Sequence, residues 1–531
     1  MKTPSKETRT SQITAAVLVF TWTALLRIPF LGLPFERDEG EYATIAWRLA
    51  SSELPYRDWF NQKPPGIFWV YRMALGLPGD PVRAVHWVNM VFAMGTAWVM
   101  FILCRRFLPK AWAMGAALLL ALLSADPRIQ GFAANTEGFM LLPLLVATWA
   151  FWRYLDTRSI GHALFCGLSL GVATLFKQVA AVHWVLLAAA LPFLSERKEK
   201  IQDTLRFASV SLLGVLALWL PVLAFFHLRH GLEALLDDVF WHNFKYAGAL
   251  PWKIRLLLFR DTLGELSLSQ TPVWILACVL PFRAFRVPGL RRPTGFGLGW
   301  AFSSLIAVSA SGYFFPHYFQ QILPALAFMA MMGAHGLSEA WGDKGLHRAL
   351  AAVVLMVLPA FSLLDIALRS PADAMAKVYP GNYFAQMPTL GRRISEISKS
   401  EDRIFIFGSE PELFFYARRA SATRYILLNP LYGPYSDALE RQETAIQDIL
   451  KAKPAVVVYY PLALFKMPGS KHRFSSWSLN YVQNHGVLDS FLSLDPTGQC
   501  HFYCGQDGDS PRLPKDHKYL ALVFRVKDLS Q

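Results

Sequence analysis

The chain has 531 residues, of which 54% are hydrophobic and only 17% are charged. Soluble proteins of this size carry about a quarter charged residues, so the composition excludes an ordinary soluble enzyme and predicts a polytopic membrane protein. The formal net charge of +14 does not indicate nucleic-acid binding. No basic, aromatic-studded polar face is visible, and basic residues are expected beside the cytoplasmic ends of membrane spans.

The apolar residues concentrate in segments that approach the roughly 20 residues needed to cross a bilayer. The basic N-terminus, MKTPSKETRTSQ, precedes a first segment without a small-residue cleavage site, so we expect a retained signal anchor. We predict about eleven spans. In order they are Ile13–Leu33, Arg83–Cys104, Ala111–Ala125, Gly138–Trp152, Gly161–Leu175, Val179–Leu194, Phe207–His227, Thr271–Leu280, Phe296–Ala310, Tyr318–Leu337 and Ala349–Leu368.

The loops between these spans predict an orientation. With the N-terminus placed in the cytoplasm, every short inside loop is basic, as the positive-inside rule requires. The loop that holds Arg105, Arg106 and Lys110 is one example. This orientation puts three regions outside the cytoplasm. They are the first outer loop (34–82, with amphipathic helices), the second large outer loop (228–270) and the C-terminal region (371–531).

The composition changes near residue 371, where short β-rich runs begin. A helical stretch at Ser436–Ala452 lies among them, and this alternation predicts a small α/β domain at 371–531 after a transmembrane domain at 1–370. The predicted strands are Arg403–Phe407, Tyr425–Leu428, Ala455–Tyr460 and Tyr519–Val526.

Two cysteines of this region lie close together in the polar run CHFYC, at Cys500 and Cys504. If the region lies outside the cytoplasm, the two can form a local disulfide. A metal site is less favoured, because no second ligand pair follows at a suitable spacing.

The first outer loop opens with an acidic stretch, PFERDEGEYA (34–43). Asp38 and Glu41 have the spacing of a helix capping box, and apolar residues then recur at helical spacing on one face. That face consists of Tyr42, Ile45, Ala46 and Leu49. Asp38 is therefore either only the cap of a helix on the membrane surface or a rigidly held carboxylate that serves as a general base.

A lysine follows in the same loop, within QKPPG (62–66). The prolines disfavour a helix at Lys63 and fix an extended approach. The lysine either snorkels to the interface or supplies a point charge for a phosphate. Arg57 is a weaker candidate for the second role.

Two charged residues fall at the ends of later spans. Glu137 opens the fourth span, where an acid is costly and often functional. It also suits a helix N-terminus capped by Asn135 or Thr136, and Asp126 is a neighbouring alternative. Lys177 lies between two apolar runs and either reaches the headgroups or pairs with an anion.

Further candidates lie in the second outer loop and at the start of the tenth span. They are His242, Lys245, Tyr246, His317 and Tyr318. A structural role explains each histidine at least as well, and aromatic residues are expected in any interfacial belt. The sequence contains no glycine-rich phosphate loop and no HExxH motif. We therefore expect an anionic, membrane-borne substrate rather than a nucleotide.

In their order, these motifs resemble the membrane glycosyltransferases of the GT-C fold, in particular the protein O-mannosyltransferase-like superfamily. That group includes the bacterial aminoarabinose transferase that acts on lipid A. The similar segments are RDEGEYA (37–43), QKPPG (62–66), NTEGFMLLP (135–143), Lys177, PHYFQQILPALA (316–327) and IFGSEPELFFYARR (406–419). Each is short, and their order and placement over nearly the whole chain carry the resemblance.

The resemblance implies a GT-C fold of about eleven transmembrane helices with an extracytoplasmic C-terminal α/β domain, in a bacterial inner membrane. It implies an enzyme that moves a sugar from a polyprenyl-phosphate carrier to a hydroxyl of lipid A, a glycan or a protein on the outer face. No cofactor is firmly implied. A divalent metal stays an option, although Gln62 stands where the lipid A enzyme has a glutamate.

By the same analogy Asp38 is the base, and Glu39 and Glu137 are further catalytic acids. Lys63 and Lys177 hold the lipid phosphate, whose departure needs its charge stabilised. The other implied substrate-binding residues are Glu41, Tyr42, Arg57, His242, Lys245, Tyr246, His317 and Tyr318. Two alternatives stay open: a transporter or flippase of lipid-linked saccharides, and a scaffold whose C-terminal domain is the functional part.

Overall fold

The structure is a computed structural model that describes residues 9–196, 198–279, 281–341, 344–461, 473–505 and 510–527. The chain divides into two compact units. Unit 1 comprises Met1–Leu33, Lys63–Arg229 and Leu250–Pro380, and unit 2 comprises Pro34–Gln62, His230–Ala249 and Gly381–Gln531. The units are discontinuous in sequence, whereas composition alone suggested two consecutive domains.

Unit 1 is helical in its described part. Its α-helices are Arg9–Arg27, Gly66–Ala74, Pro81–Arg105, Lys110–Leu123, Thr136–Thr157, Ile160–Phe176, Ala181–Leu194, Lys200–Leu228, Trp252–Val279, Pro281–Ala284, Arg291–Ser309, Leu323–Trp341, Lys344–Ala367 and Pro371–Val378. Short 3-10 helices lie at Ile28–Phe30, Pro127–Ile129, Gln178–Ala180 and Pro316–Ile322. Each predicted span falls on one of these helices.

Six helices of the described residues are long and apolar enough to cross a membrane, and four more are apolar but only 10–17 residues long. The number eleven therefore stays a prediction. The prediction of a loop at 228–270 is wrong, because most of this region is helical. Its second half belongs to the 28-residue helix Trp252–Val279. Charged residues in the first turns of that helix, such as Arg260 and Asp261, lower the local hydropathy. The first half of the helix was therefore predicted as a loop.

Unit 2 contains a six-stranded mixed sheet with the order β2-β1-β3-β6-β4-β5. The strands are β1 Arg403–Phe407, β2 Ala420–Ser421, β3 Val456–Tyr459, β4 Gly486–Leu494, β5 Cys500–Cys504 and β6 Lys518–Val526. Strand β1 pairs in parallel with β2 and β3, and the other neighbours are antiparallel. The predicted strands at β1, β3 and β6 are confirmed.

The predicted strand Tyr425–Leu428 is wrong. The segment is a loop whose Tyr425 and Leu428 are buried in a hydrophobic cluster of unit 2, so its apolar character reflects packing rather than strand pairing. Three strands, β2, β4 and β5, were not predicted. The free Cys500 and Cys504 stand at opposite ends of β5, about 13 Å apart at the rise of a strand. That separation is beyond the reach of a disulfide.

Unit 2 also contains helices. They are Arg37–Arg48, Leu232–Leu236, the π-helical turn Asp237–Trp241, His242–Gly248, Met387–Glu396, Glu412–Ala417, Asn429–Tyr432, Ala438–Ala452 and Arg473–His485, with 3-10 turns at Leu49–Ser51 and Phe384–Gln386. The predicted helix Ser436–Ala452 is confirmed within two residues. Its apolar face, including Ile446 and Ile449, packs on Phe405 and Val457 of the sheet.

Candidate functional site

Four predicted residues come together in unit 1 at helix ends. Lys177 follows helix Ile160–Phe176 in an extended conformation (φ −155°, ψ 127°), which turns the chain sharply before Gln178–Ala180. Glu137 is the second residue of helix Thr136–Thr157. Tyr318 lies in the 3-10 helix Pro316–Ile322.

A glycine brings the fourth residue, Lys63, to this place. Helix Gly66–Ala74 starts directly after the two prolines. A Cβ on Gly66 would lie 2.6 Å from the carbonyl oxygen of Leu175, which is too close for any real side chain. The segment of Lys63 and the segment of Lys177 can therefore approach this closely only because residue 66 is glycine.

Both lysine ammonium groups lie against one aromatic ring. The Nζ of Lys177 is 3.6 Å from the Tyr318 ring centroid, and the Nζ of Lys63 is 5.9 Å from it. Lys177 also forms an ion pair with Glu137 Oε1, and the Thr136 hydroxyl donates to Glu137 Oε2 (2.9 Å). The three charged residues are at most 8% exposed. Of the two options for Lys177, the structure shows the anion pair.

His317 borders the same ring. Its imidazole packs edge-on against Tyr318, with ring centroids 4.8 Å apart. Its Nδ1 is 2.9 Å from Gln130 Oε1. Because an amide oxygen only accepts hydrogen bonds, Nδ1 carries the hydrogen and the ring orientation is set.

We call Lys63, Lys177, Glu137, His317 and Tyr318 the lysine–tyrosine cluster. It contains two ammonium groups and one carboxylate in a buried setting. Buried ammonium groups are costly unless anions compensate them, and lysines suit phosphate oxygens as compact point charges. Lysines in such an arrangement can bind an anionic group.

Asp126, the neighbouring alternative acid, has a structural environment. It is fully buried. Its carboxylate accepts hydrogen bonds from the Ser269 hydroxyl (2.6 Å), the Gln270 amide (2.9 Å) and the Ser362 hydroxyl (3.0 Å). Asp126 thus ties two helices to the turn that it occupies, and no sequence pattern predicted these partners.

The acidic stretch of the first outer loop lies in unit 2, and its capping differs from the expectation. Glu36, not Asp38, is the N-cap of helix Arg37–Arg48. The Glu39 backbone N–H donates to Glu36 Oε1, and the Glu36 backbone N–H donates to Glu39 Oε2, each at 3.2 Å. The capping box therefore starts two residues earlier than predicted, and Asp38 lies in the first turn of the helix.

The three candidate acids of this helix differ in their exposure to solvent. Glu39 is 1% exposed and Glu41 is 4% exposed, whereas Asp38 is half-buried. Tyr42, one turn later, places its hydroxyl 3.5 Å from Asp38 Oδ2. Asp38 is thus the most accessible of the three acids.

The remaining candidates have partners inside unit 2. Lys245 pairs with Asp437 (2.8 Å) and Arg57 with Asp58 (2.7 Å). His242 Nδ1 accepts from Arg441 (3.1 Å). Burial, reinforced by the Arg441 charge, lowers the pKa of His242 to about 3, so this imidazole is neutral. A fourth candidate, Tyr246, is buried beside it.

A phosphate-binding role for these residues stays a prediction, and the structure gives each of the charged ones another partner. Among the described residues, no three His, Cys, Asp or Glu side chains converge as ligands for a metal ion.

Three polar residues near the lysine–tyrosine cluster were missed as site candidates. Asn135, Gln320 and Gln321 are buried, and each has at least one side-chain atom without a hydrogen-bond partner. Their only sequence signal is their position in two of the quoted motifs, NTEGF and PHYFQQ.

The chain has the GT-C fold. It superposes on ArnT from Cupriavidus metallidurans bound to undecaprenyl phosphate with a TM-score of 0.60, 17% identity and 97% of both chains covered. It superposes on the oligosaccharyltransferase AglB from Archaeoglobus fulgidus, in complex with an inhibitory peptide and a dolichol-phosphate, with a TM-score of 0.54 and 14% identity. That match covers 96% of this chain and 75% of AglB.

The sequence comparisons point the same way. Residues 62–225 match the family model described as dolichyl-phosphate-mannose-protein mannosyltransferase. The lipid A galacturonosyltransferase RgtD from Rhizobium johnstonii is 28% identical over 182 residues, which are 34% of this chain and 36% of RgtD. The matched segment thus spans about a third of that relative. The expected resemblance to the GT-C glycosyltransferases is confirmed.

Proposed function

We propose that this protein is a membrane glycosyltransferase that moves a sugar from a polyprenyl-phosphate carrier to an acceptor hydroxyl. The observation that carries the proposal is the placement of two buried lysine ammonium groups, Lys63 and Lys177, on the Tyr318 ring. The similar proteins support it. ArnT is bound to undecaprenyl phosphate and AglB to a dolichol-phosphate, and RgtD is a galacturonosyltransferase. These relatives are transferases, so nothing here favours a flippase.

In the proposed reaction, the bond between the sugar's anomeric carbon and the phosphate oxygen breaks, and a bond from the acceptor oxygen to that carbon forms. The lipid phosphate leaves with the bonding electrons, and Lys63 and Lys177 stabilise its charge. The acceptor proton passes to a general base, a role that the resemblance gives to Asp38. Both oxygens of Glu137 are engaged, by Lys177 and Thr136, so we assign Glu137 the positioning of Lys177.

The same proposal includes the setting of the reaction. The protein is a multi-pass protein of a bacterial inner membrane with its N-terminus in the cytoplasm and its reaction on the outer face. Lipid A, a glycan and a protein are the candidate acceptors. The similarity to a lipid A galacturonosyltransferase makes lipid A the first acceptor to test.

The donor site is tested by mass spectrometry of lipids that co-purify with the protein in mild detergent. Wild type is expected to carry a polyprenyl phosphate, with or without its sugar, and Lys63→Ala is expected to lose it. Lys253→Ala removes an exposed lysine and should retain the lipid. Equal lipid occupancy of Lys63→Ala and wild type, with bare undecaprenyl phosphate supplied, would contradict the proposal.

The base is tested by comparing two neighbouring acids. Asp38→Asn should lower the transfer rate by about 10²–10⁴-fold, the usual contribution of general base catalysis, and leave lipid binding intact. Glu39→Gln alters the capping box, so it should lower stability by about 1 kcal/mol with a small effect on rate. The opposite result, an active Asp38→Asn and an inactive Glu39→Gln, would move the base to Glu39.

A further inference from the structure

Three buried amide side chains in unit 1 hold polar atoms without hydrogen-bond partners. Asn135 is 1% exposed, and neither its Nδ2 nor its Oδ1 has a partner. Gln320 and Gln321 are 1% and 5% exposed, and the Nε2 of each has no partner. Most buried polar groups in proteins are hydrogen-bonded, and each exception calls for an explanation.

The side-chain amide of Asn135 does not cap the helix that follows it. Its backbone is the N-cap of helix Thr136–Thr157, a place where asparagine usually bonds the first turn. Its side chain makes no such bond. It lies two residues before Glu137, so it stands at the edge of the lysine–tyrosine cluster.

The two glutamines lie in the 3-10 helix Pro316–Ile322, which also holds His317 and Tyr318 of the cluster. Because such a helix has three residues per turn, Gln321 lies on the same face as Tyr318, and Gln320 on the same face as His317. The Oε1 of Gln320 is also 3.8 Å from the place that a Cβ on Gly138 would occupy. This distance puts the Gln320 amide next to the first turn of helix Thr136–Thr157.

A carboxamide both donates and accepts hydrogen bonds and carries no charge. That chemistry matches a polyhydroxylated ring rather than a second anion or an apolar chain. We propose that Asn135, Gln320 and Gln321 form the subsite that hydrogen-bonds the hydroxyl groups of the sugar carried by the lipid phosphate. The inference rests on the proposed function, and it adds the residues that recognise the sugar.

The test uses near-isosteric apolar variants of the purified full-length protein: Asn135→Leu, Gln320→Met and Gln321→Met. Affinity and thermal shift are measured with bare undecaprenyl phosphate, and with undecaprenyl phosphate that carries galacturonic acid, mannose or aminoarabinose. In wild type, at least one of these sugars should raise the affinity above that of the bare lipid. Each variant should reduce this gain by up to about tenfold, the range of one hydrogen bond, and leave the affinity for the bare lipid unchanged.

The stability of the lipid-free variants separates binding from structure. Replacing an unpartnered buried amide by an apolar side chain of similar volume should leave the unfolding temperature unchanged or raise it. The matched control is Gln270→Met. Gln270 is equally buried but bonded, to Asp126 (2.9 Å) and Trp274 (3.3 Å), so its variant should unfold at a lower temperature and keep full sugar discrimination.

The outcomes distinguish failure of this inference from failure of the proposed function. If wild type does not bind bare undecaprenyl phosphate, the proposed function fails. If it binds the bare lipid and none of the three sugars adds affinity, or if the variants keep the sugar gain, the subsite alone is overturned. A lower unfolding temperature in all three variants, as in Gln270→Met, would show that the amides serve the fold and would also overturn it.

Discussion

Each unit buries a glutamate, and the two carboxyl groups have opposite surroundings. In unit 1, Glu137 is paired with Lys177 and accepts a hydrogen bond from Thr136. In unit 2, Glu412 is fully buried, and neither of its oxygens has a hydrogen-bond partner. Burial, with the neighbouring Glu410, raises the pKa of Glu412 well above its ordinary value.

The difference shows that the neighbours of a buried glutamate decide whether its charged or its neutral form is favoured. Glu137 lies beside the Lys177 ammonium group, which favours its charged form. Glu412 lies near other acids, and burial favours its neutral, protonated form. Removing the charge should therefore harm the protein at Glu137 and help it at Glu412.

The largest effect is expected from breaking the unit 1 pair. Glu137→Leu leaves the Lys177 ammonium group buried without its carboxylate, which typically costs about 3–5 kcal/mol. We expect a correspondingly lower unfolding temperature in detergent and loss of sugar transfer. Both are measured on the same preparation, by thermal unfolding and by a transfer assay with supplied donor.

The double variant Glu137→Leu/Lys177→Met separates stability from function. Replacing both members of a buried ion pair by apolar residues is often neutral for stability, so the unfolding temperature should return near that of wild type. Activity should not return, because an ammonium group of the proposed phosphate site is missing. An active double variant would show that the pair serves only the fold.

The sequence identified charged candidate residues of unit 1 but not which of them pair with each other. Lys177 and Glu137 were both identifiable, because isolated charges between apolar runs are conspicuous. Their partnership is a contact between residues 40 positions apart, and no local pattern reveals it. The amide of Asn135 was hidden for a related reason, because an asparagine before a helix is fully explained by capping until the structure shows that it does not cap.

In unit 2 the sequence contains two possible capping boxes for the same helix. Glu36 and Glu39 have the same spacing as Asp38 and Glu41, and either pair satisfies a capping box. The structure uses Glu36, and Gly40 of the same helix lies against the backbone of Glu412. The apolar helices were easier to predict, because a long apolar run is a local signal. Strand β4 was missed because it buries Asp489, whose partner Arg393 is 96 residues away.

An intermediate effect is expected at the two glycines. A Cβ on Gly66 would lie 2.6 Å from the Leu175 oxygen, and a Cβ on Gly40 would lie 2.6 Å from the Glu412 Cα. Such overpacking typically costs about 1–3 kcal/mol. Gly66→Ala should also weaken binding of bare undecaprenyl phosphate, because it separates the segments of Lys63 and Lys177. Gly40→Ala should lower stability by a similar amount without that loss of binding. Equal lipid affinity in both variants would contradict the positioning role of Gly66.

The smallest effect is expected from Glu412→Gln, and its sign is opposite. A carboxyl whose folded pKa lies above its unfolded value of about 4.5 binds more protons in the folded state. Its stabilising contribution is complete below pH 4.5 and is lost as the pH rises through the folded pKa. Wild type should therefore unfold at lower temperature at pH 8 than at pH 5, whereas glutamine cannot ionise. Glu412→Gln should exceed wild type by roughly 3 °C at pH 8.

The difference between Glu412→Gln and wild type should shrink as the pH is lowered toward 5, because both side chains are then neutral. Glu440→Gln makes the same chemical change on an exposed helix face and should change stability by less than about 0.5 kcal/mol at either pH. Burial also raises the pKa of Glu36 and of Glu410, so the variant should keep a weaker slope of the same sign. A Glu412→Gln variant less stable than wild type at pH 8 would mean that the charged carboxylate has a stabilising partner, and the contrast with Glu137 would disappear.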